Sequence, residues 1–229
     1  MNFLDKIRKK IIVSCQAVDN EILNDSYIMQ KIALACVMGG AEVLRLSQKN
    51  HIMAVQKVLN VPIIGLIKQH YKNSEVFITP TREEIDVLLN LNVDVIALDA
   101  TLRIRPYDNL ETLVSYIREK APTKLILADC SNIEDIKNAD RLGFDLVATT
   151  LRGYTNETTK LSNLENNYEF IKSLDDVLEK AVLIVEGGIW TPEEAYDLLH
   201  FNHVHAVVVG SAITRPQLIT ERFIKITKE

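Results

Sequence analysis

Short, nearly unbroken apolar runs alternate with stretches of helical periodicity along the whole chain. The runs lie at Ile11–Gln16, Ala41–Arg45, Pro62–Lys68, Val93–Asp99, Lys124–Asp129, Phe144–Thr150, Val182–Glu186 and Ala206–Gly210. Continuous rather than alternating hydrophobicity fits parallel strands covered on both faces. Between them, Tyr27–Met38 carries Ile28, Ile32, Ala35 and Cys36 as a helical stripe. Thr81-Arg82-Glu83-Glu84, Ser131-Asn132-Ile133-Glu134 and Thr191-Pro192-Glu193-Glu194 read as capping boxes, the last with proline at the first helical position. Successive runs end about 28 residues apart, close to the roughly 30 of one βα unit. Eight such units without a break predict a single domain over 1–229, a (β/α)8 barrel with a short N-terminal helix. A doubly wound open sheet is the alternative.

Composition narrows the class. Of 229 residues, 47% are hydrophobic and 25% charged, which excludes disorder, and the net charge of −5 lacks the basic footprint of a nucleic-acid binder. No apolar run reaches the roughly 18 residues of a membrane span. Lys6, Arg8, Lys9 and Lys10 precede Ile11–Cys15 in loose imitation of a lipoprotein leader, but the apolar part is far shorter than the roughly 7–15 residues a leader needs. A short basic helix and a buried strand account for it. Three scattered cysteines, Cys15, Cys36 and Cys130, form no disulfide framework and point to a cytoplasmic protein.

Most of the apolar runs end in a side chain capable of chemistry: Gln16, Arg45, Lys68, Asp99, Asp129, Thr150 and Glu186. In a barrel these C-terminal strand ends converge on one mouth. Polar residues also begin loops, which explains some positions but poorly explains two cations and three carboxylates. Lys68 is the natural proton carrier, since burial favours its neutral form; a structural ion pair with a neighbouring acid is the alternative. The turns after the last two strands, Gly187-Gly188 and Gly210-Ser211 with Arg215, have the glycines and the cation of a phosphate site. His200, His203 and His205 fall at the opposite rim and read as packing residues. Asp99 and Asp129 lack histidine partners at the mouth for a metal.

These residues sit in motifs that resemble the bacterial N-acetylmannosamine-6-phosphate 2-epimerase family essentially end to end. The likeness rests on Val13-Ser14-Cys15-Gln16-Ala17, Gly65-Leu66-Ile67-Lys68 with Tyr71, Val93 to Thr101, Leu127-Ala128-Asp129, Gly143-Phe144-Asp145, Thr149-Thr150-Leu151 with Gly153-Tyr154-Thr155, Glu186-Gly187 and Val209 to Pro216. Gly188 departs from it, standing where many relatives carry a basic residue. The resemblance implies a (β/α)8 barrel that interconverts N-acetylmannosamine 6-phosphate and N-acetylglucosamine 6-phosphate in sialic acid and amino-sugar breakdown. It makes Lys68 the catalytic acid/base, assisted by Glu186. Gln16, Arg45 and Asp129 hold the sugar, with Thr150 beside them. Gly187, Gly188, Gly210, Ser211 and Arg215 take the phosphate. No cofactor or metal is implied, the partner is a small amino-sugar phosphate, and a homodimer is suggested. Rival readings are another phosphate-binding barrel enzyme, such as a metal-dependent pentulose-phosphate 3-epimerase, and a non-catalytic sugar-phosphate sensor.

Overall fold

The structure, a computed structural model, describes residues 2–17 and 20–227. Eight parallel strands form a closed barrel in sequence order, each paired with the next and β8 with β1. This excludes the open sheet. The order is α1 (Phe3–Ile7), β1 (Ile11–Cys15), α2 (Ser26–Met38), β2 (Leu44–Ser47), α3 (Lys49–Gln56), β3 (Ile63–Leu66), α4 (Arg82–Asn90), β4 (Val95–Asp99) and α5 (Leu110–Lys120). Then follow β5 (Leu125–Asp129), α6 (Ile133–Leu142), β6 (Leu146–Ala148), α7 (Glu165–Lys172), β7 (Val182–Glu186), α8 (Pro192–His200), β8 (Val204–Val209), α9 (Ser211–Thr214) and α10 (Pro216–Ile226).

Two apolar clusters divide the strand residues by parity, as the two-residue repeat of a strand requires. Ile12, Ile64, Leu66, Val95, Ala97, Leu127, Leu146, Ala148, Ile184, Ala206 and Val208 fill the barrel interior. Their neighbours, among them Cys15, Leu44, Leu46, Ile96, Leu98, Val147, Val185 and Cys130, pack outward under the helices. Because both faces are covered, the strands read as unbroken apolar runs. Ile7, Phe3 and Leu4 of α1 join the interior cluster and plug its N-terminal end. Lys9 follows them and donates to the carbonyls of Phe201 and Val204 at 2.7 and 2.5 Å, which explains one charge of the basic stretch before β1.

Thr81 and Thr191 open α4 and α8 with reciprocal capping boxes. At α6 the box is shifted by one residue, to Asn132 and Asp135; Ser131 Oγ instead donates to Asp135 at 2.7 Å. The buried stripe of α2 is also rotated, centred on Met29 and Ala33, with Ala35 exposed. β2 begins later than the apolar pattern suggests. Gly39 caps α2, and Gly40 takes φ +104, so the chain needs residues 39–43 to turn. Arg45 therefore lies inside the strand, not at its end.

Candidate functional site

The inward row of each strand ends in the site. Continuing the interior parity past the apolar residues gives Ser14 and Gln16, Arg45, Lys68, Asp99, Asp129, Thr150, Glu186 and Gly210. The same parity sends Cys15 and Cys130 to the outer cluster, away from the mouth, and burial raises the pKa of Cys130. The cavity at this mouth has a volume of about 220 Å³.

On one side of it stands a buried ion cluster. The Arg45 guanidinium donates to both oxygens of Asp129, at 2.9 and 2.7 Å, and to Glu186 Oε2 at 2.6 Å. Thr150 Oγ1 donates to Asp129 Oδ1 at 2.5 Å and lies 3.2 Å from Glu186 Oε2. Burial alone would lower the Arg45 pKa, but the two carboxylates outweigh it and keep the guanidinium charged. Glu186 is pushed up to about 7, first by burial and then by the Asp129 charge, against the pull of Arg45. A carboxyl at that value exchanges its proton near neutrality.

Lys68 faces this cluster from two residues past β3. No ion pair holds its Nζ among the described residues. Burial lowers its pKa to about 8, helped by Arg215 and Arg45 and opposed by Glu186 and Glu21. The alternative reading, a structural ion pair, is not formed among the described residues.

The other side of the cavity is a glycine corner. Gly187 and Gly188 take φ +109 and +77, a sequence of conformations that only glycine adopts without strain. A Cβ on Gly187 would also stand 3.3 Å from Asn163 Nδ2. Gly210 packs so close to β1 that a Cβ would meet Ser14 Cβ at 3.3 Å. Thr214 Oγ1 donates to Ser14 O at 2.9 Å and ties α9 to the same strand. Arg215 lines the cavity and pairs with Glu21 at 3.4 Å.

The cavity wall includes Gln16, Arg45, Lys68, Thr150, Glu186, Gly187, Gly188, Gly210, Ser211 and Arg215. Gln16 Nε2 donates to Ser14 Oγ at 2.9 Å. Asp129 is not on the wall. It has no exposed surface, and its oxygens are occupied by Arg45 and Thr150. It therefore stands behind Arg45, one residue back from the open cavity. Asp99 turns instead to Arg103, at 2.7 Å, and to Thr101. His203 sits at the far rim between Asp175 and the Ile171 carbonyl, and His205 bonds the Leu4 carbonyl. Among the described residues no group of three His, Cys, Asp or Glu side chains is placed to hold a metal.

Several wall residues were not legible beforehand. Phe77 and Ile78 come from the segment after Lys68, which folds back so that Ile78 pairs antiparallel with Lys68. The apolar triplet Val76-Phe77-Ile78 inside a polar loop was the available signal. Asn163, which stands behind the wall, carries no such signal. From the loop before α7 its Nδ2 donates to the carbonyls of Glu186 and Gly187, at 2.8 and 3.1 Å. Two contacts tie that loop to the segment after Thr150: Arg152 pairs with Glu165 at 2.5 Å, and Thr158 accepts from the Gly153 N–H.

The family described as "Putative N-acetylmannosamine-6-phosphate epimerase" matches residues 29–229. The chain belongs to this family. It is 57% identical over 221 residues to a "Putative N-acetylmannosamine-6-phosphate 2-epimerase" of Mycoplasma mycoides subsp. mycoides, covering 96% of this chain and 97% of the relative. A relative so described from Mycoplasma capricolum subsp. capricolum is 55% identical over 228 residues, all of both chains. Among solved structures, the N-acetylmannosamine-6-phosphate 2-epimerase from Clostridium perfringens superposes with a TM-score of 0.92 at 43% identity, over 99% of this chain and 96% of that one. The family's barrel and the closed barrel described above are thus the same fold.

Proposed function

We propose that the protein interconverts N-acetylmannosamine 6-phosphate and N-acetylglucosamine 6-phosphate by removing and returning the proton at carbon 2, a step of amino-sugar and sialic acid breakdown. Family membership supplies the reaction, and one observation carries its assignment to residues. Among the described residues no ion pair holds Lys68, in a cavity whose wall also carries Arg45 and Glu186, with Asp129 behind them, and whose end is the Gly187, Gly188 and Arg215 corner.

In the open-chain sugar, carbon 2 lies beside the aldehyde, so its proton is acidic enough for an amine near neutrality. Neutral Lys68 takes that proton. The carbon 2–hydrogen electron pair becomes the carbon 1–carbon 2 double bond, the carbonyl π pair moves onto the aldehyde oxygen, and Glu186, holding a proton, gives it to that oxygen. Arg45 adds a fixed positive charge on the same side. The Lys68 ammonium returns a proton to the other face of carbon 2 once the enol has turned, and the oxygen proton goes back to Glu186, which completes the inversion with both groups as they began. Asp129 acts by orienting Arg45 and Thr150. Gln16 contacts the sugar, and Gly187, Gly188, Gly210, Ser211 and Arg215 receive the phosphate, with Glu21 yielding Arg215 to it.

Proton NMR in heavy water tests this reading. Incubation of N-acetylmannosamine 6-phosphate with the protein should give N-acetylglucosamine 6-phosphate deuterated at carbon 2, unaffected by a chelator. Unchanged substrate from folded protein refutes the reaction.

Among the described residues no helix is long and apolar enough to cross a membrane. The three cysteines are free, which supports a cytoplasmic site of action. The family resemblance also supports a homodimer. Helix α10 buries no residue and leaves Phe223 and Ile226 73% and 76% exposed, an apolar face that a second copy would cover. Light scattering should give twice the chain mass, and charged substitutions at both residues should halve it.

A further inference from the structure

Lys68 stands where its strand has lost its neighbour. The β2–β3 ladder ends at the Ser47–Leu66 pair, and the last main-chain bond runs from Gln48 N–H to Leu66 O at 3.0 Å. There the β2 chain turns away into α3. On the other flank, Gln69 N–H donates to Phe77 O and Thr79 N–H to Ile67 O, which fixes the residues on either side of Lys68. By strand alternation the N–H and C=O of Lys68 itself then point toward β2, where no backbone remains.

The Gln48 side chain fills that gap. Its Oε1 accepts from Lys68 N–H at 3.0 Å, and its Nε2 donates to Lys68 C=O at 3.2 Å. A primary amide carries the same donor and acceptor as a peptide group, so it extends the ladder by one residue. A second observation is independent of these bonds. Gln48 is held at φ 69, ψ 134, in the region that favours glycine, and such conformations persist only where the surroundings enforce them. Gln48 is not on the cavity wall, so it reaches the reaction only through Lys68.

We propose that Gln48 is a positioning residue whose side-chain amide replaces the missing strand and fixes the backbone from which the Lys68 amine enters the cavity. The proposal rests on the reading of Lys68 as the proton carrier. Two variants test it. Gln48→Leu keeps the bulk and loses the amide. Gln48→Gly loses the amide and relieves the backbone strain, which separates folding from positioning.

Both variants should keep KM for N-acetylmannosamine 6-phosphate within about twofold and lose kcat by about 10- to 100-fold, the scale of an ångström-sized misplacement. The inflection of the pH–rate profile that reports Lys68 should move to higher pH, because a looser Lys68 reaches more water. Either variant, folded, with wild-type kcat and pH profile overturns the proposal. So does failure of both to fold, which would make Gln48 a folding residue. Titration of the 15N-labelled Lys68 amine by NMR keeps this test separate from the assigned reaction. If the wild-type protein does not exchange carbon 2, that reading fails. The positioning proposal then stands or falls on whether the Lys68 titration moves upward in Gln48→Gly.

Discussion

Replacing Lys68 by methionine should make the protein more stable while abolishing turnover. Methionine keeps the length and apolar stem of lysine and removes a charge that the cavity desolvates. The amine drops from its ordinary 10.5 to about 8 on folding. At 1.36 kcal/mol per pH unit this difference corresponds to about 3 kcal/mol against the folded state. Lys68 is only partly buried, so solvent screening reduces it to about 1–3 kcal/mol. For a chain of this size each kcal/mol shifts the melting temperature by about 2–4 °C. The pH dependence fixes the sign. Below pH 8 the amine is protonated in both states and the cost is fully present. Between 8 and 10.5 the folded state sheds its proton first and the cost fades. Lys68→Met should therefore melt about 2–12 °C higher than the wild type at pH 6.5, with the gap narrowing steadily toward pH 10. Thermal melts across this range by circular dichroism measure it. An equal or lower melting temperature at pH 6.5, or a gap constant with pH, would refute the desolvated, unpaired Lys68.

Asp129→Asn leaves the buried Arg45 without its bidentate partner and should cost about 3–5 kcal/mol in urea unfolding; loss of the Asp129 charge should also let Glu186 titrate lower, moving its limb of the pH–rate profile to lower pH. Arg215→Ala should raise KM for the phosphorylated sugar at least about tenfold with a smaller change in kcat, and steady-state kinetics with unchanged KM would remove it from the phosphate corner. Gly65→Ala places a Cβ 2.8 Å from Val93 Cγ1 and 3.1 Å from Leu88 Cδ2 on the outer face of β3. Overpacking there should cost about 1–3 kcal/mol in chemical denaturation.

Much of this architecture is legible in the sequence because one physical pattern repeats eight times. A strand buried on both faces must be apolar throughout, so the first polar residue in its inward row marks the mouth. That is why Lys68, Asp129, Thr150 and Glu186 can be picked out from the chain alone. The pattern does not tell a wall residue from one behind it. Asp129 and Glu186 end similar runs, yet only Glu186 lines the cavity, because Arg45 reaches across and occupies Asp129. Strand bounds fail where a turn consumes residues, as at Gly39 and Gly40 before β2. Gln48 and Asn163 are invisible beforehand for a different reason. Their amides act on backbone groups left free by the ends of strands and the shape of turns, and no periodicity encodes those places.

The ion cluster beneath the cavity also sets an order of events. Arg45 lies 84 residues before Asp129 and 141 before Glu186. When β2 is synthesised, neither carboxylate exists beside it. A guanidinium cannot be buried without its counter-charges except at great cost, so β2 settles into its final place only when β5 and β7 arrive. Contacts this distant in sequence slow folding. The reactive pocket thus forms only once strands far downstream are in place, and a nascent fragment ending before β5 offers Arg45 neither counter-charge.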